Sequence, residues 1–230
     1  IAVVDGGYEV TTTNGTALCA SLVIATGGLS IPKIGATKFG YDVARQFGLK
    51  VLPTRAGLVP LTFQADLLAR CKELAGLSVE ATVRYGKTAF SEGLLFTHRG
   101  LSGPSILQIS SYWQEGQKIE IDLAPGTDVF EHFKAAREAH PKQDIQNVLA
   151  DILPKRLAQS ICEHQGISGR VSELSDKKLS ALAGDVNAWR IKPSGTEGYR
   201  TAEVTLGGVD TDELSSKTME AKKQPGLYFI

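Results

Sequence analysis

The chain has 230 residues, 42% of them apolar and 22% charged, which is typical of a folded globular protein long enough for more than one compact unit. Its 25 basic residues balance its 25 acidic residues, so net charge does not indicate a nucleic-acid partner, although a local basic patch stays open. No apolar stretch is long enough to span a bilayer, and three scattered cysteines make neither a disulfide framework nor a zinc site, so we expect a cytoplasmic chain without a membrane partner or a metal.

The first 26 residues predict a β-meander. Apolar or alternating segments at 1–4, 8–12 and 16–26 are separated by two glycine-containing turns, one of them the hairpin dipeptide Asn14-Gly15. The third segment becomes continuously apolar, as is typical of a strand that enters a buried sheet. We therefore expect it to run as a single strand up to Gly27.

Short strands are predicted over most of residues 51–124, after a loop rich in glycine and proline and a short helix at 40–47. Helices at 67–74 and 104–113 interrupt them, and the second begins with a proline, which the first helical turn tolerates. Ser102 lies just before this proline. We interpret it as the N-cap, because a serine hydroxyl can accept from the free N–H groups of a helix start.

A helical block follows. Apolar residues at helical spacing, with glycine or proline at the joints, predict four helices at 130–140, 145–153, 154–164 and 175–182. The sequence after residue 184 again has the pattern of short strands, up to its last residue. Because both ends of the chain have the pattern of core strands, we expect residues 1–26 and 202–230 to share one sheet, and we interpret the chain as an internal piece of a longer protein.

Several common site motifs are absent from the sequence. There is no HExxH, no paired CxxC, no GxGxxG and no GxxxxGK[ST]. The usual glycine-rich phosphate cradle is therefore missing, and the sequence predicts no metal ligands.

Four stretches, taken together and in order, carry a resemblance. They are residues 25–41 (ATGGLSIPKIGATKFGY), 95–104 (LFTHRGLSGP), 195–209 (GTEGYRTAEVTLGGV) and 218–222 (TMEAK). In these stretches the chain resembles the YhiN/BaiN-type (HI0933-like) family of NAD(P)/FAD-dependent oxidoreductases, and the likeness extends over nearly its whole length.

The resemblance implies an α+β multidomain fold. Residues 1–56 and 204–230 would be the remnant of a Rossmann-like FAD-binding domain. Residues 57–127 and 186–203 would form an inserted, β-barrel-like unit, and residues 128–185 a helical subdomain nested within it. The family's GxGxxG turn would precede this segment, and the family's C-terminal FAD-binding sequence would follow it.

The resemblance also implies site residues. His98 and Arg99 would line the substrate side, although a surface loop pair is an equally good interpretation of these two. The residues implied to contact the flavin are Ala25, Thr26, Gly27, Gly28, Thr37, Thr205, Gly207, Gly208 and Val209. Glycines at a strand end let a cofactor approach the backbone closely, yet plain turns would have the same residues.

The sequence is compatible with two functions. In the first, NAD(P)H reduces FAD, and the flavin passes hydride to an unsaturated or imine-like small molecule or to oxygen. In the second, the insert is a non-catalytic module that recognises a macromolecular partner. Because the main diphosphate donors are missing, we expect this chain alone to hold no FAD and to be inactive, with Gly27 and Gly208 close together and exposed.

Overall fold

The computed structural model describes the backbone of residues 1–230 and every side chain except that of Ala65. The chain divides into two compact units. The first unit is built from residues 1–57 and 198–230, and the second unit from residues 58–197. The fold is of mixed α and β type, and no helix within the described residues has the length and apolar character needed to cross a membrane.

Both units contain strands and helices. The strands are β1 (Ala2–Val4), β2 (Gly7–Thr12), β3 (Gly15–Cys19), β4 (Leu22–Ile24), β5 (Val51–Gly57), β6 (Leu61–Thr62), β7 (Ser78–Tyr85), β8 (Thr88–Thr97), β9 (Gly100–Ser102), β10 (Ile119–Asp122), β11 (Trp189–Ile191), β12 (Gly195–Thr196), β13 (Val204–Val209) and β14 (Leu227–Phe229). The helices are α1 (Phe39–Gln46), α2 (Ala65–Glu73), α3 (Pro104–Ser110), α4 (Val129–Ala139), α5 (Ile145–Ala150), α6 (Lys155–Gln165) and α7 (Asp176–Asn187).

The first unit holds three small sheets. β1, β2 and β3 form the predicted antiparallel meander, β5 pairs antiparallel with β13, and β4 pairs parallel with β14. The β4–β14 pair confirms that the two end segments of the chain meet in one sheet, although β1, β2, β3 and β13 belong to other sheets. A small core, which includes Tyr8, Ile24, Val43 and Phe229, packs beneath these strands.

The prediction of one continuous strand over 16–26 was wrong. β3 ends at Cys19 and β4 begins at Leu22, because the chain leaves the meander at this point and enters the sheet shared with β14. The backbone N–H of Leu22 donates to the carbonyl oxygen of Gly226, which fixes the start of the new pairing.

The second unit is centred on a seven-stranded sheet in the order β11-β10-β7-β8-β9-β6-β12, and each neighbouring pair in it is antiparallel. The long β7–β8 hairpin forms its middle. One continuous core, which includes Phe96, Ile121 and Trp189 from strands and Phe133 from a helix, runs through the unit.

The helical block was predicted correctly in its main features. The helices α4, α5, α6 and α7 occupy the four periodic segments, and no named strand lies between residues 128 and 185 of the described chain. Asp128, Asp144 and Ser175 cap three of the helices, each accepting a hydrogen bond from a backbone N–H of the first turn.

Ser102 is not the helix cap that the sequence predicts. It is the last residue of β9, and Gly103 occupies the N-cap position of α3 with a φ of 90° and no side-chain hydrogen bond. A Cβ at position 103 would lie 2.6 Å from the carbonyl oxygen of Gly93, so the close approach of two backbones decides the residue at this position.

Candidate functional site

A cleft of about 690 Å3 in the first unit opens at the carboxyl ends of its two parallel strands. The chain leaves β4 through residues 25–28, and β14 ends at the same edge, where Phe229 lines the cleft. In open sheets with parallel strands, ligands bind outside the carboxyl ends of the strands. A volume in the range of several hundred cubic ångströms also suits a small organic ligand or part of a cofactor.

Two glycine pairs from distant parts of the sequence line this cleft. Gly27 and Gly28 follow β4, whereas Gly207 and Gly208 lie in β13. Gly27 has a φ of 70° with open space where a Cβ would project, so a ligand can approach the backbone there. Neither Gly27 nor Gly28 has a partner for its backbone N–H among the described residues, and both N–H groups are therefore available as donors.

A bulge in the pairing of β5 with β13 shapes the part of the cleft around Gly207 and Gly208. The register shifts between Leu206 and Gly208, and Gly207 stands in the left-handed region at a φ of 80°. A Cβ at Gly207 would overlap the carbonyl oxygen of Pro53. Only glycine fits this approach of two strands without a shift of the backbone.

A hydroxyl network joins the loop after β4 to strand β13. The Thr205 Oγ1 accepts hydrogen bonds from the backbone N–H of Leu29 at 2.9 Å and of Ser30 at 3.1 Å, and it lies 3.0 Å from the Ser30 hydroxyl. The Tyr41 side chain also hydrogen-bonds Thr205, and a Cβ at Gly28 would lie 3.0 Å from the Tyr41 hydroxyl. Thr205 thus holds the loop after β4 and the phenol of Tyr41 in one arrangement.

Burial raises the pKa of the Tyr41 phenol, and the nearby phenol of Tyr199 raises it further, while the hydrogen bond with Thr205 acts in the opposite direction. Tyr41 is consequently a neutral hydroxyl in the cleft at physiological pH. Among the described lining residues the single charged side chain is that of Glu203, and no lysine, arginine or histidine lines the cleft.

The structure brings seven of the nine implied cofactor residues to this cleft: Thr26, Gly27, Gly28, Thr205, Gly207, Gly208 and Val209. Ala25 and Thr37 do not line it. The hydroxyl of Thr37 instead accepts a hydrogen bond from the backbone N–H of Phe39 at 3.3 Å, which serves the turn before α1.

One detail of the predicted geometry was wrong. Gly27 is exposed as expected, but Gly208 is buried, because the ring of Tyr41 covers it. Sequence reasoning missed Tyr41 as a lining residue. The helical spacing of residues 40–47 could have identified it, because this spacing places residue 41 in the first turn of a helix that follows the glycine-rich loop.

His98 and Arg99 lie in the second unit, at the exposed turn between β8 and β9. The Thr97 Oγ1 accepts from the backbone N–H groups of Arg99 and Gly100, so this is a tight turn held by its own residues. The Arg99 guanidinium donates to the Glu197 carboxylate at 3.3 Å. The described residues contain no group of three or more His, Cys, Asp or Glu side chains that could hold a metal ion.

Comparison with known proteins gives two relatives with the same name. The chain is 52% identical over 232 residues to "Ribosomal RNA dihydrouridine synthase" of Escherichia coli (strain K12), an alignment that covers 98% of this chain and 57% of that protein. It is 46% identical over 214 residues to the protein of that name from Haemophilus influenzae, covering 92% of this chain and 53% of the relative.

A more distant relative carries another name. The chain is 27% identical over 223 residues to "3-dehydro-bile acid delta(4,6)-reductase" of Clostridium scindens, covering 90% of this chain and 54% of that protein. The chain thus spans about half the length of the curated relatives it matches. All three relatives are named as enzymes, so an enzyme family is supported.

These names correct the expectation about function. A small unsaturated or imine-like molecule, or oxygen, was expected to receive hydride from the flavin, but the two more similar relatives are named for a modification of ribosomal RNA. The expected small-molecule partner was wrong for the same reason. The balance of 25 basic and 25 acidic residues does not exclude an RNA partner, because net charge averages over the whole surface and hides any local excess.

A family model supplies the remaining comparison, and it matches residues 55–204, well over half of the chain. Its description is "HI0933-like protein barrel and H2TH domain", and the matched range nearly coincides with the second unit. The chain therefore belongs to the HI0933-like family, of which it carries the barrel and H2TH domain.

Proposed function

We propose that this chain is part of an enzyme that forms dihydrouridine in ribosomal RNA. The observation that carries the proposal is the pair of relatives at 52% and 46% identity, each aligned over more than nine tenths of this chain and each named for that reaction. The 27% relative supports a reductive chemistry in the wider family. Conversion of uridine to dihydrouridine saturates the carbon–carbon double bond of the uracil ring, which is a two-electron reduction.

We further propose that the cleft of the first unit receives the ring of a flavin in the whole protein. A bound flavin would supply the electrons for such a reduction. The groups that line the cleft suit the flavin ring better than the diphosphate of FAD. The cleft offers free backbone N–H groups at Gly27 and Gly28, neutral hydroxyls and apolar walls, but no basic side chain among the described residues. FAD diphosphate would need donors from outside these 230 residues.

The residues of the chain have distinct tasks in this proposal. The N–H groups of Gly27 and Gly28 would bind carbonyl oxygens at the edge of the flavin ring. Thr205 would keep the loop after β4 and the Tyr41 phenol in position. His98 and Arg99 remain candidates for substrate contact, and their exposed turn is compatible with a large substrate.

The proposed activity can be tested in an Escherichia coli strain that lacks its own ribosomal RNA dihydrouridine synthase. The complete coding sequence that contains these 230 residues is introduced, and dihydrouridine in purified ribosomal RNA is measured by nucleoside mass spectrometry. We expect the modification to return. Accumulation of the folded protein without dihydrouridine above the deletion background would refute the proposal.

The cofactor part has its own test, which needs no activity. We expect the complete protein to purify with a flavin absorption band, and the Gly28→Ala variant to retain less flavin, because the new Cβ would lie 2.7 Å from the Thr205 Oγ1 and disturb its pairing with Tyr41. Gly195→Ala in the second unit is the matched control, since a Cβ there meets only an ordinary contact at 3.6 Å. Equal flavin content in the two variants would count against the cleft.

A further inference from the structure

The exposed edge of the seven-stranded sheet carries a groove that the proposed cofactor cleft does not use. It lies where β7, β10 and β11 run side by side, and its volume is about 240 Å3. We name it the edge groove and define it by Arg84, Gly86, Lys118, Glu120 and Arg190, all of which line it. All five residues belong to the second unit.

Strand register places three of these charges in one row. Glu120 of β10 lies opposite Arg84 of β7 on one side and opposite Arg190 of β11 on the other. The Arg190 Nε donates to the Glu120 carboxylate at 2.7 Å, so the single acid of the groove already has a partner. Directly opposed residues on neighbouring strands are close enough to act on one ligand.

Two cations of the edge groove form no salt bridge among the described residues. Arg84 and Lys118 are both exposed, and neither forms a salt bridge with a carboxylate among the described residues. Three basic side chains and one acidic side chain thus give the groove an excess of two positive charges. On a chain with a formal net charge of zero, this excess is a local feature.

The backbone at the end of the hairpin keeps the groove open. Gly86 stands at a φ of 58° in the turn between β7 and β8, with no atom within 4 Å of the position of a Cβ. The neighbouring Tyr85 packs against the core and gives the groove a fixed wall. A ligand can therefore reach the cations without displacing a side chain at position 86.

We infer that the edge groove binds the phosphodiester backbone of RNA, an inference that rests on the proposed function because it takes RNA as the substrate. Unpaired arginine and lysine side chains are the usual phosphate ligands of RNA-binding proteins. Contacts of this kind position the nucleic acid and do not read its sequence. The groove thus supplies affinity and orientation, and base selection belongs to another part of the protein.

The test uses the complete protein and two probes, a mixed-sequence single-stranded RNA of 30 nucleotides and purified ribosomal RNA. Binding is measured by fluorescence anisotropy across a salt series for the double variant Arg84→Gln/Lys118→Gln. Each lost phosphate contact on a single strand reduces the salt slope by about 0.7, so two lost contacts reduce it by about 1.4 and weaken binding about 25-fold at 0.1 M salt.

The matched control is Lys142→Gln/Lys178→Gln. It removes the same two charges from exposed positions of the helical block and should leave both the slope and the affinity near those of the parent. Circular dichroism of both double variants checks that they fold. An equal loss in the control would overturn the inference, because a general charge effect would then explain the result. Competition by polyglutamate as strong as by RNA would also overturn it, since the groove would then suit an acidic peptide.

The dihydrouridine assay separates this inference from the proposed function. The parent protein could restore dihydrouridine while the groove variant binds RNA as tightly as the parent does. This result would refute RNA binding by the edge groove and would still support the proposed activity. RNA binding that depends on the groove in a protein that restores no dihydrouridine would support the groove and refute the activity. A parent that binds neither probe would overturn the inference outright.

Discussion

The two units of this chain bury their apolar side chains to very different degrees. The second unit holds one continuous core of 36 buried residues, whereas the core of the first unit has nine. Among the described residues, ten of the eleven large hydrophobic side chains that are exposed belong to the first unit, and Tyr112 alone to the second. The larger core, and the match of the family model to residues 55–204, indicate that the second unit can fold on its own contacts.

Cysteine reactivity should give the sharpest contrast between the units. Burial raises the pKa of the Cys71 thiol to about 12 and that of Cys162 to about 11, and both lie in the second unit. Since the thiolate is the reactive form, its fraction at pH 8 is roughly a thousandfold lower for Cys71 than for an ordinary thiol. We expect iodoacetamide to label Cys19, which is half-buried in the first unit, well before the other two.

Peptide mass spectrometry measures this order directly. Labelling of Cys71 in native buffer at the rate of Cys19 would show that the second unit opens as readily as the first. The expected difference in stability between the two units would then be wrong.

A core deletion tests the stability of the second unit. Phe133→Ala removes a fully buried ring of α4 and should lower the free energy of unfolding by about 3–5 kcal/mol. Trp113 and Trp189 both lie in the second unit, so tryptophan fluorescence during urea unfolding reports on that unit alone.

Phe39→Ala is the matched control, because Phe39 belongs to the first unit and its side chain is 49% exposed. Its effect on the same fluorescence transition should stay within about 0.5 kcal/mol. Similar shifts for both variants would mean that the two units unfold as one.

A backbone clash tests the first unit. A Cβ in Gly207→Ala would overlap the Pro53 carbonyl oxygen at a φ that alanine disfavours, so we expect a loss of about 1–3 kcal/mol. Hydrogen exchange of the β5 and β13 amides should accelerate. Gly184→Ala in α7, where a Cβ meets no atom within 4 Å, should instead stabilise its helix by about 0.5–1 kcal/mol. Unchanged exchange in β5 would show that the backbone accommodates a Cβ at position 207 without weakening the pairing of the two strands.

The smallest expected effect concerns Tyr41. Tyr41→Phe removes the hydrogen bond with Thr205 and should cost about 0.5–1.5 kcal/mol at neutral pH. Because the folded state raises the pKa of this phenol, its contribution is fully present below the pKa of the unfolded chain, near 10, and is lost as pH rises through the higher folded value. The stability difference between parent and variant should therefore shrink as the pH rises above about 10. A difference that stays constant above this pH would argue that the folded protein does not disfavour the ionised form of Tyr41.

The sequence predictions that the structure confirms depend on local patterns. Helical spacing located α4, α5, α6 and α7, and turn chemistry located the meander, because both depend on residues near one another in the chain. The failures depend on distant partners. The break at Ala20 and Ser21 follows from pairing with β14, and the burial of Gly208 follows from the ring of Tyr41.

The candidate site shows the same division. The resemblance brought seven lining residues together, yet it could not show that Thr205 holds the loop after β4 or that Thr37 serves its own turn. The edge groove escaped notice because Arg84, Lys118 and Arg190 are far apart in sequence and meet only through the register of three strands.

The parallel pairing of β4 with β14 also sets the order in which the chain can complete its fold during synthesis. Leu22 and its partner Leu227 are separated by more than 200 residues, which a ribosome adds in about 10–40 s. The second unit, continuous from residue 58 to residue 197, emerges within that interval and can form its core first. Until β14 is made, the edge of β4 has unpaired backbone groups, so the nascent first unit is the part that most needs protection from aggregation.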